Sequence, residues 1–237
     1  MLKTLWVLAS FAVICISGQR AASNADLEDA EDYFIKIMNA MVTELEENYG
    51  WWNLKLLDVS QTLNEHMYNW HVAGRVNYTN GFVVSIEEME LLNIRKGVQT
   101  TVTTSNTTEW TGLVWGDLKL LNVKVGLDVI VQLDGQPVQY YTGTYTHSEI
   151  TITCTIRKNF SLNEYNVVAQ VTNMRTGTGV RMIYMPANHV TEVLSRRYVP
   201  SNNWDGATTW CRGAIQPILL ALTEKIPFPN VCFACSN

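Results

Sequence analysis

Charged residues are scarce in this sequence, and neither sign of charge dominates. Lysine, arginine, aspartate and glutamate together make up 16% of the 237 residues, whereas 47% of the residues are hydrophobic. A chain of this composition has enough apolar side chains for a substantial core and is not of the disordered type. The net charge of −5 argues against a nucleic-acid partner, because nucleic-acid-binding domains carry a basic surface. The length favours a single domain.

Sequence motifs of catalysis and metal binding are missing as well. There is no Gly-x-Ser-x-Gly nucleophile elbow, which argues against a serine hydrolase of that type. The four histidines show neither a His-Glu-x-x-His pattern nor the Cys/His spacing of a zinc site. The glycine-containing segment 176–179 lies between two strand patterns, so it is interpreted as a turn and not as a phosphate loop. We therefore expect no enzyme, no cofactor and no metal.

Long hydrophobic runs are absent except at the N-terminus. The segment 5–16 is apolar apart from Ser10, follows the basic Lys3 and precedes a group of small residues. This run is too short for a membrane span and is typical of a secretory leader. The prediction is a signal peptide over residues 1–18, a single mature module over residues 19–237, secretion, and no integral membrane segment.

Cysteines are few, and Cys15 lies in the predicted leader. The mature chain keeps four, an even number that suits disulfide formation in an oxidising compartment. Cys154 shares a strand face with isoleucines, and Cys211 lies on the apolar stripe of a C-terminal helix pattern. We predict a Cys154–Cys211 disulfide and a local Cys232–Cys235 disulfide. Bonds from the tail cysteines to Cys154 or Cys211 are the alternatives.

Three N-glycosylation sequons agree with export. They begin at Asn77, Asn106 and Asn159, and each is followed two positions later by threonine or serine. We expect each of these asparagines at the protein surface, near a turn.

Residues 26–49 show the periodicity of one long amphipathic helix. Apolar residues recur there at steps of three and four, acidic residues crowd the start, and Gly50 follows the end. Pro217 predicts a kink or a late start in the final helix. The further helices predicted are 61–71 after an N-cap at Ser60, 190–198, and 205–226.

From Gly81 to about Tyr184 the hydrophobic period changes to two. In the segment 122–135, every second residue from Val123 to Leu133 is apolar. Side chains of a strand point alternately to its two faces, so this segment is predicted to be a strand with one buried and one solvated face. The Asp-Gly pair at 134–135 predicts a hairpin turn after it.

The strand pattern also predicts bends. A phase slip between Ile86 and Leu92 suggests a bulge. The segment 112–133 would exceed about 70 Å if it ran straight, which is too long for a compact flat sheet. Gly116 and Gly126 are the predicted places for the bend.

The order of these elements predicts an α+β fold. Hairpin connections between successive strands favour an antiparallel sheet, and the flanking helices would cover one of its faces. We predict a long, strongly curved antiparallel sheet wrapped around a long helix, with helices at both ends of the chain.

Four segments carry a resemblance to a known family: "GFVVSIEEMELLNIRKG", "LKLLNVKVGLDVIV", "VVAQVTNMRTGTGVRMIYMPANHVTEVLSRRY" and "AIQPILLALTEKI". Through these segments the chain resembles the tubular lipid-binding superfamily, single-module type. The likeness is greatest to the mite group 7 allergens and to the insect juvenile-hormone-binding and takeout proteins. It departs from the takeout pattern in lacking a cysteine pair near the mature N-terminus, and a sheet-to-helix disulfide would instead resemble the bactericidal/permeability-increasing type.

The resemblance implies a non-catalytic protein that binds one small hydrophobic or lipid-like molecule in an apolar groove between sheet and helix. Two alternatives remain at this point, a recognition protein that binds microbial surface lipid and a lipocalin-like barrel with "YGWWNL" as a distorted entry motif. Oligomeric state and ligand identity do not follow from the sequence. The residues predicted to line the groove are Phe34, Met38, Met41, Leu127, Val129, Val131, Ile150, Ile152, Val167 and Met182.

Overall fold

The computed structural model describes residues 20–21, 26–67, 69–102 and 108–232. The predicted signal peptide, Asn106 and Cys235 lie outside these residues. One large antiparallel sheet is flanked in sequence by helices on both sides, which confirms the predicted α+β class. The strands are β1 (Arg20–Ala21), β2 (Asp26–Leu27), β3 (Val59–Met67), β4 (Trp70–Ser85), β5 (Glu88–Val102), β6 (Thr108–Leu133), β7 (Gln139–Asn159), β8 (Glu164–Thr176), β9 (Ile183–Met185) and β10 (Val231–Cys232).

The helices cover one face of this sheet. A π-helical turn extends the first of them, and another joins the last two into one continuous helical segment. This second π-helical turn ends at Ile215, two residues before Pro217, so the helix is locally widened where the sequence predicted a kink or a late start. The helices are α1 (Ala30–Glu44, extended by Leu45–Tyr49), α2 (His189–Arg197), α3 (Asn203–Trp210) and α4 (Gln216–Thr223), with Cys211–Ile215 between the last two.

At its widest the sheet is five strands across, and β6 is the middle strand. β7 pairs along almost the whole of one edge of β6, and β5 and β4 share the other edge in succession. β1 and β3 lie outside β5 and β4, and β8 and β9 lie outside β7. Among the described strands none joins the outer edges to each other, so the sheet is open and the lipocalin-like barrel is wrong.

A line of backbone irregularities crosses the sheet and divides it into two halves. Asn122 in β6 has a φ of 49°, β4 gives way to β5 directly opposite, and the register of β7 shifts at Ser148. Asn122 Nδ2 donates to Glu87 Oε2 at 2.6 Å across the break. We call the part with β1, β5 and β8 the proximal half and the part with β3, β4 and β9 the distal half.

The left-handed residue of β6 at this division is Asn122, which lies between the two glycines at which the bend was predicted. β6 keeps one register with β7 through Gly116 and Gly126. Its other neighbours bulge beside these glycines, since β5 shifts register opposite Gly116 and β4 shifts register next to Gly126. Asparagine tolerates the left-handed region better than other side chains do. Asn80 and Asn93 also adopt the left-handed conformation, in bulges of β4 and β5. Their side-chain amides donate to carboxylates of β6.

Two sequence-based helix assignments need correction. The first helix begins at Ala30, because Asp26–Leu27 pairs with β10 as a strand. The predicted helix 61–71 is wrong, since these residues form the hairpin of β3 and β4. Leu63 and Val72 are buried by this pairing, which outweighs a weak helical pattern.

Gly116 provides the space in which α1 approaches the sheet. A Cβ at this position would lie 2.7 Å from Cε1 of Phe34, a fully buried residue of α1. We expect Gly116→Ala to lower the free energy of unfolding by about 1–3 kcal/mol through overpacking. Gly97→Ala in neighbouring β5 is the control, because its Cβ would meet Trp115 at an ordinary 3.7 Å. Equal urea midpoints for the two variants would contradict this account of the α1–sheet contact.

Candidate functional site

The ten residues predicted to line a groove all lie inside the protein. Nine of them are buried, with at most 3% of their surface exposed, and Val167 is half-buried against the same cluster. Together with the other buried apolar residues they form one continuous core between the sheet and the helices. Their role as ligand contacts stays a prediction.

The structure brings these residues together in two groups, one in each half of the sheet. In the proximal half, Phe34 of α1 lies over Gly116, and in the distal half Met182 lies against Gly143 and Val129. The proximal group is Phe34, Met38, Met41, Ile150, Ile152 and Val167, and the distal group is Leu127, Val129, Val131 and Met182.

The distal half is strongly rolled. Tyr78 in β4 and Tyr184 in β9 are separated by two intervening strands, so in a flat sheet their parallel side chains would stay roughly 14 Å apart. Their hydroxyl oxygens are instead 3.1 Å apart, and both residues are buried. The two side chains meet across the inner side of the sheet, which confirms the predicted curvature.

Helix α2 lies across this concave side and touches both edges of the rolled sheet. Ser195 Oγ donates to the Met182 carbonyl at 2.9 Å, next to β9. From the opposite edge, Gln61 Nε2 donates to the Arg197 carbonyl at 2.9 Å, and Glu65 forms an ion pair with the Arg197 guanidinium. The underside of α2 is apolar and buried, through Val190, Val193 and Leu194.

A group of polar aromatic side chains lies within this otherwise apolar interior. We call it the tyrosine–histidine cluster; it contains two hydrogen-bonded chains and several ring contacts. Tyr198 Oη donates to Asn203 Oδ1 at 2.8 Å, and Asn203 Nδ2 lies 2.9 Å from His147 Nε2. The members are Tyr78, Tyr145, His147, Tyr184, Tyr198 and Asn203.

His147 is fully buried and neutral in this cluster. An amide NH2 is only a donor, so the contact with Asn203 makes Nε2 the acceptor and places the ring proton on Nδ1. Nδ1 is buried and has no hydrogen-bond partner among the described residues. Burial away from water lowers the pKa of His147 to about 4. Burial also raises the pKa of Tyr184 and Tyr198, so both remain uncharged.

Sequence reasoning missed this cluster. Its signal was the alternation in β7, where Tyr141, Gly143, Tyr145 and His147 occupy every second position and point to the inner face. A histidine in such a phase is a candidate for burial. Tyr198 directly follows α2 and Asn203 begins α3, so no strand periodicity could place them.

The predicted disulfide between Cys154 and Cys211 is not present in the structure. Cys154 and Cys211 both lie buried on the inner side, as their faces predicted, but the structure holds them as free thiols. The Cys211 Sγ is directed at the Ala207 carbonyl, 3.7 Å away, so the sheet-to-helix disulfide is not formed in it. Burial raises the pKa of Cys211 to about 11 and that of Cys154 further, which keeps both thiols protonated and unreactive. The Cys232–Cys235 bond lies outside the described side chains.

Two of the three sequons fall on described residues. Asn159 ends β7 next to the turn into β8, as predicted, and its Nδ2 donates to Glu109 Oε2 at 3.0 Å. Asn77 lies in the middle of β4 between the buried Val76 and Tyr78, half-exposed on the outer face. Its predicted place near a turn is therefore wrong, although it does reach the surface.

Several pockets open on the surface around the distal half. One of about 720 Å³ lies at the N-terminus of α2, and one of about 510 Å³ on the outer face is bordered by Val129 and Tyr140. Among the described residues no group of three histidine, cysteine or acidic side chains is placed to hold a metal ion. No described helix is both long enough and apolar enough to cross a membrane.

Comparison with known proteins gives limited similarity. No family model and no curated protein matches the sequence. Among solved structures, the chain is similar to a crystal structure of lipopolysaccharide binding protein, with a TM-score of 0.39 and 8% sequence identity. The match covers 86% of this chain and 41% of that chain, so this chain spans less than half the length of that protein.

Proposed function

We propose that this protein is a secreted, non-enzymatic glycoprotein that binds one small lipid-like molecule on the concave side of its rolled sheet. The ligand enters the distal half beneath α2 and lies against Leu127, Val129, Val131 and Met182. The sequons at Asn77, Asn106 and Asn159 carry its glycans.

The attachment of α2 is the observation that carries this proposal. The strands around it are joined by continuous ladders of backbone hydrogen bonds, whereas α2 is tied to the sheet edges by a few side-chain contacts. The ion pair between Glu65 and Arg197 is partly exposed and therefore contributes little. Displacing α2 would uncover an apolar concave surface without breaking the sheet. Met182 beneath it has a flexible, polarizable side chain that adapts to different neighbours.

The size of the ligand follows from what it replaces. The three buried apolar side chains under α2 contribute roughly 1.5–3 kcal/mol each, about 5–9 kcal/mol together. Burying an acyl chain contributes about 0.8 kcal/mol per CH₂ group. Eight carbons, about 6 kcal/mol, therefore only balance the loss of the α2 contacts, whereas sixteen carbons, about 13 kcal/mol, exceed it.

Calorimetric titration with octanoate and palmitate tests this length dependence. We expect saturable binding of palmitate and no measurable binding of octanoate. A photoactivatable palmitate analogue should then label peptides from the inner faces of β6 and β7 and from α2. Equal binding of the two fatty acids, or labelling confined to outer surfaces, would exclude the interior site.

Recognition of a lipid surface is the second candidate function, and an exposed apolar patch favours it. Tyr140, Ile183 and Met185 lie on the outer face of β7 and β9 and are 71%, 65% and 66% exposed. On this alternative the protein would float with phosphatidylcholine vesicles, and Ile183→Ser with Met185→Ser would abolish flotation. The interior-site proposal predicts that both substitutions leave palmitate binding unchanged.

A further inference from the structure

The pocket at the N-terminus of α2 lies beside the proposed lipid site, with which it shares Val190, and has different chemistry. It lies where the turn between β3 and β4, the loop between β6 and β7, and the start of α2 meet. Its volume is about 720 Å³, within the range of small-molecule sites. Apart from Val190, the residues that line it are amides, an imidazole, a carboxylate and a tryptophan.

Three amides of the pocket are held in fixed orientations by one hydrogen-bonded chain. Asn188 caps α2 through its Oδ1, which accepts from the Thr191 amide at 3.0 Å, and its Nδ2 donates to Tyr141 Oη at 2.8 Å. Tyr141 in turn donates to Gln139 Oε1, and Gln139 Nε2 donates to Gln136 Oε1 at 3.3 Å. The site is therefore organised before any ligand binds.

The hydrogen bonds among these side chains leave some of their N–H donors unused and available to a ligand. An amide nitrogen carries two N–H donors, and the contacts above use one from Asn188, one from Gln139 and none from Gln136. Asn69 and His189 also line the pocket, and neither side chain forms a hydrogen bond with any residue that the structure describes. Together these groups supply both donors and acceptors.

The pocket offers no unpaired charge for an ionic ligand. Glu192 is its one carboxylate among the described lining residues, and Arg196 pairs with it at 2.8 Å. The bound molecule should therefore be neutral and rich in hydroxyl groups.

Trp70 adds the apolar surface that completes the site. It is half-buried, and its ring meets that of His189 edge to face, with centroids 5.6 Å apart. An aromatic face beside several amides suits a ligand that has hydroxyl groups on its rim and C–H groups on its face. We propose that this pocket binds a neutral carbohydrate of one or two hexose units while α2 is docked, at a place distinct from the proposed lipid site.

Saturation-transfer NMR with lactose, maltose and N,N′-diacetylchitobiose tests the proposal on the full chain. At least one disaccharide should bind saturably, and Trp70→Ala should weaken that binding tenfold or more. Gln136→Ala, on an exposed loop, should weaken it as well without affecting the fold. Trp52→Ala is the matched control, because Trp52 is 61% exposed and lies outside the pocket.

A second arm distinguishes free sugar from a lipid-linked sugar. Vesicles that contain lactosylceramide are compared with plain phosphatidylcholine vesicles, for the wild type and for Gln136→Ala. Binding to the glycolipid vesicles that Gln136→Ala weakens supports a sugar site that takes a membrane-linked headgroup. Absence of saturable binding in both arms, or binding that neither Trp70→Ala nor Gln136→Ala reduces, rules the carbohydrate site out.

Discussion

Truncating Met182 to alanine is expected to destabilise the free protein and to strengthen lipid binding at the same time. Met182 is 1% exposed, and its methyl group fills the space above Gly143 and beside Val129. Removing it leaves a cavity in the distal half and lowers the free energy of unfolding by about 2–5 kcal/mol. Because palmitate no longer has to displace this side chain, its affinity should rise several-fold.

Ligand should then restore much of the lost stability. A molecule that binds only the folded state stabilises it by about 2.7 kcal/mol at a concentration one hundred times the dissociation constant. Urea unfolding with and without palmitate measures both effects on the same variant. Met185→Ala is the matched control, since Met185 is 66% exposed three residues away. A Met182→Ala variant that is destabilised but binds palmitate no better than Met185→Ala would contradict the interior site.

Acidification is expected to destabilise the protein through His147. The pKa of this side chain is about 4 in the folded state, against an ordinary value of 6.5. As the pH falls, the unfolded chain therefore binds a proton at this histidine before the folded protein does. The contribution of the neutral imidazole to stability is fully present above pH 6.5 and is lost progressively down to about pH 4. A shift of this size corresponds to roughly 3 kcal/mol.

Substitution by glutamine separates this effect from the titration of carboxyl groups. His147→Gln retains an acceptor for Asn203 and does not titrate, so between pH 6.5 and pH 4 it should lose roughly 3 kcal/mol less than the wild type. His71→Gln, an exposed histidine of β4, is the control and should follow the wild type. Parallel pH profiles for the wild type and His147→Gln would show that the buried imidazole does not govern acid stability.

The sheet was predictable from the sequence because its strands are long and amphipathic. The six alternating residues from Val123 to Leu133 are all buried on the inner face of β6, and the hairpin turn follows at Gly135. A period of two sustained over this length leaves one arrangement that buries every apolar side chain. The short helix α2 also appeared where its sequence pattern placed it.

The bends and the hairpin of β3 and β4 were not predictable to the same degree. Asn80, Asn93 and Asn122 bend their strands because each adopts a left-handed conformation and its amide donates to a carboxylate of a neighbouring strand or, for Asn122, of the β4–β5 connection. That pairing depends on the register between strands, which a single segment does not encode. β3 has no clear alternation of its own and becomes a strand through pairing with β4.

The residues of the predicted groove were likewise predictable only in part. Burial of its residues followed from their phase on each element, but the separation into two groups depends on where α1 and α2 dock. The placement of α2 over Met182 rests on contacts from Gln61, more than one hundred residues away in sequence. Contacts of this kind are set by the fold as a whole.

Native mass spectrometry of the protein purified from its natural source tests the central claim most directly. The rolled sheet and its helices are proposed to enclose one lipid-like molecule, so the folded protein should lose the mass of one such molecule on extraction with organic solvent. Re-addition of palmitate should restore a one-to-one complex. A mass that extraction leaves unchanged, in a protein that also fails to take up palmitate, would show that the interior is a solid core and not a binding site.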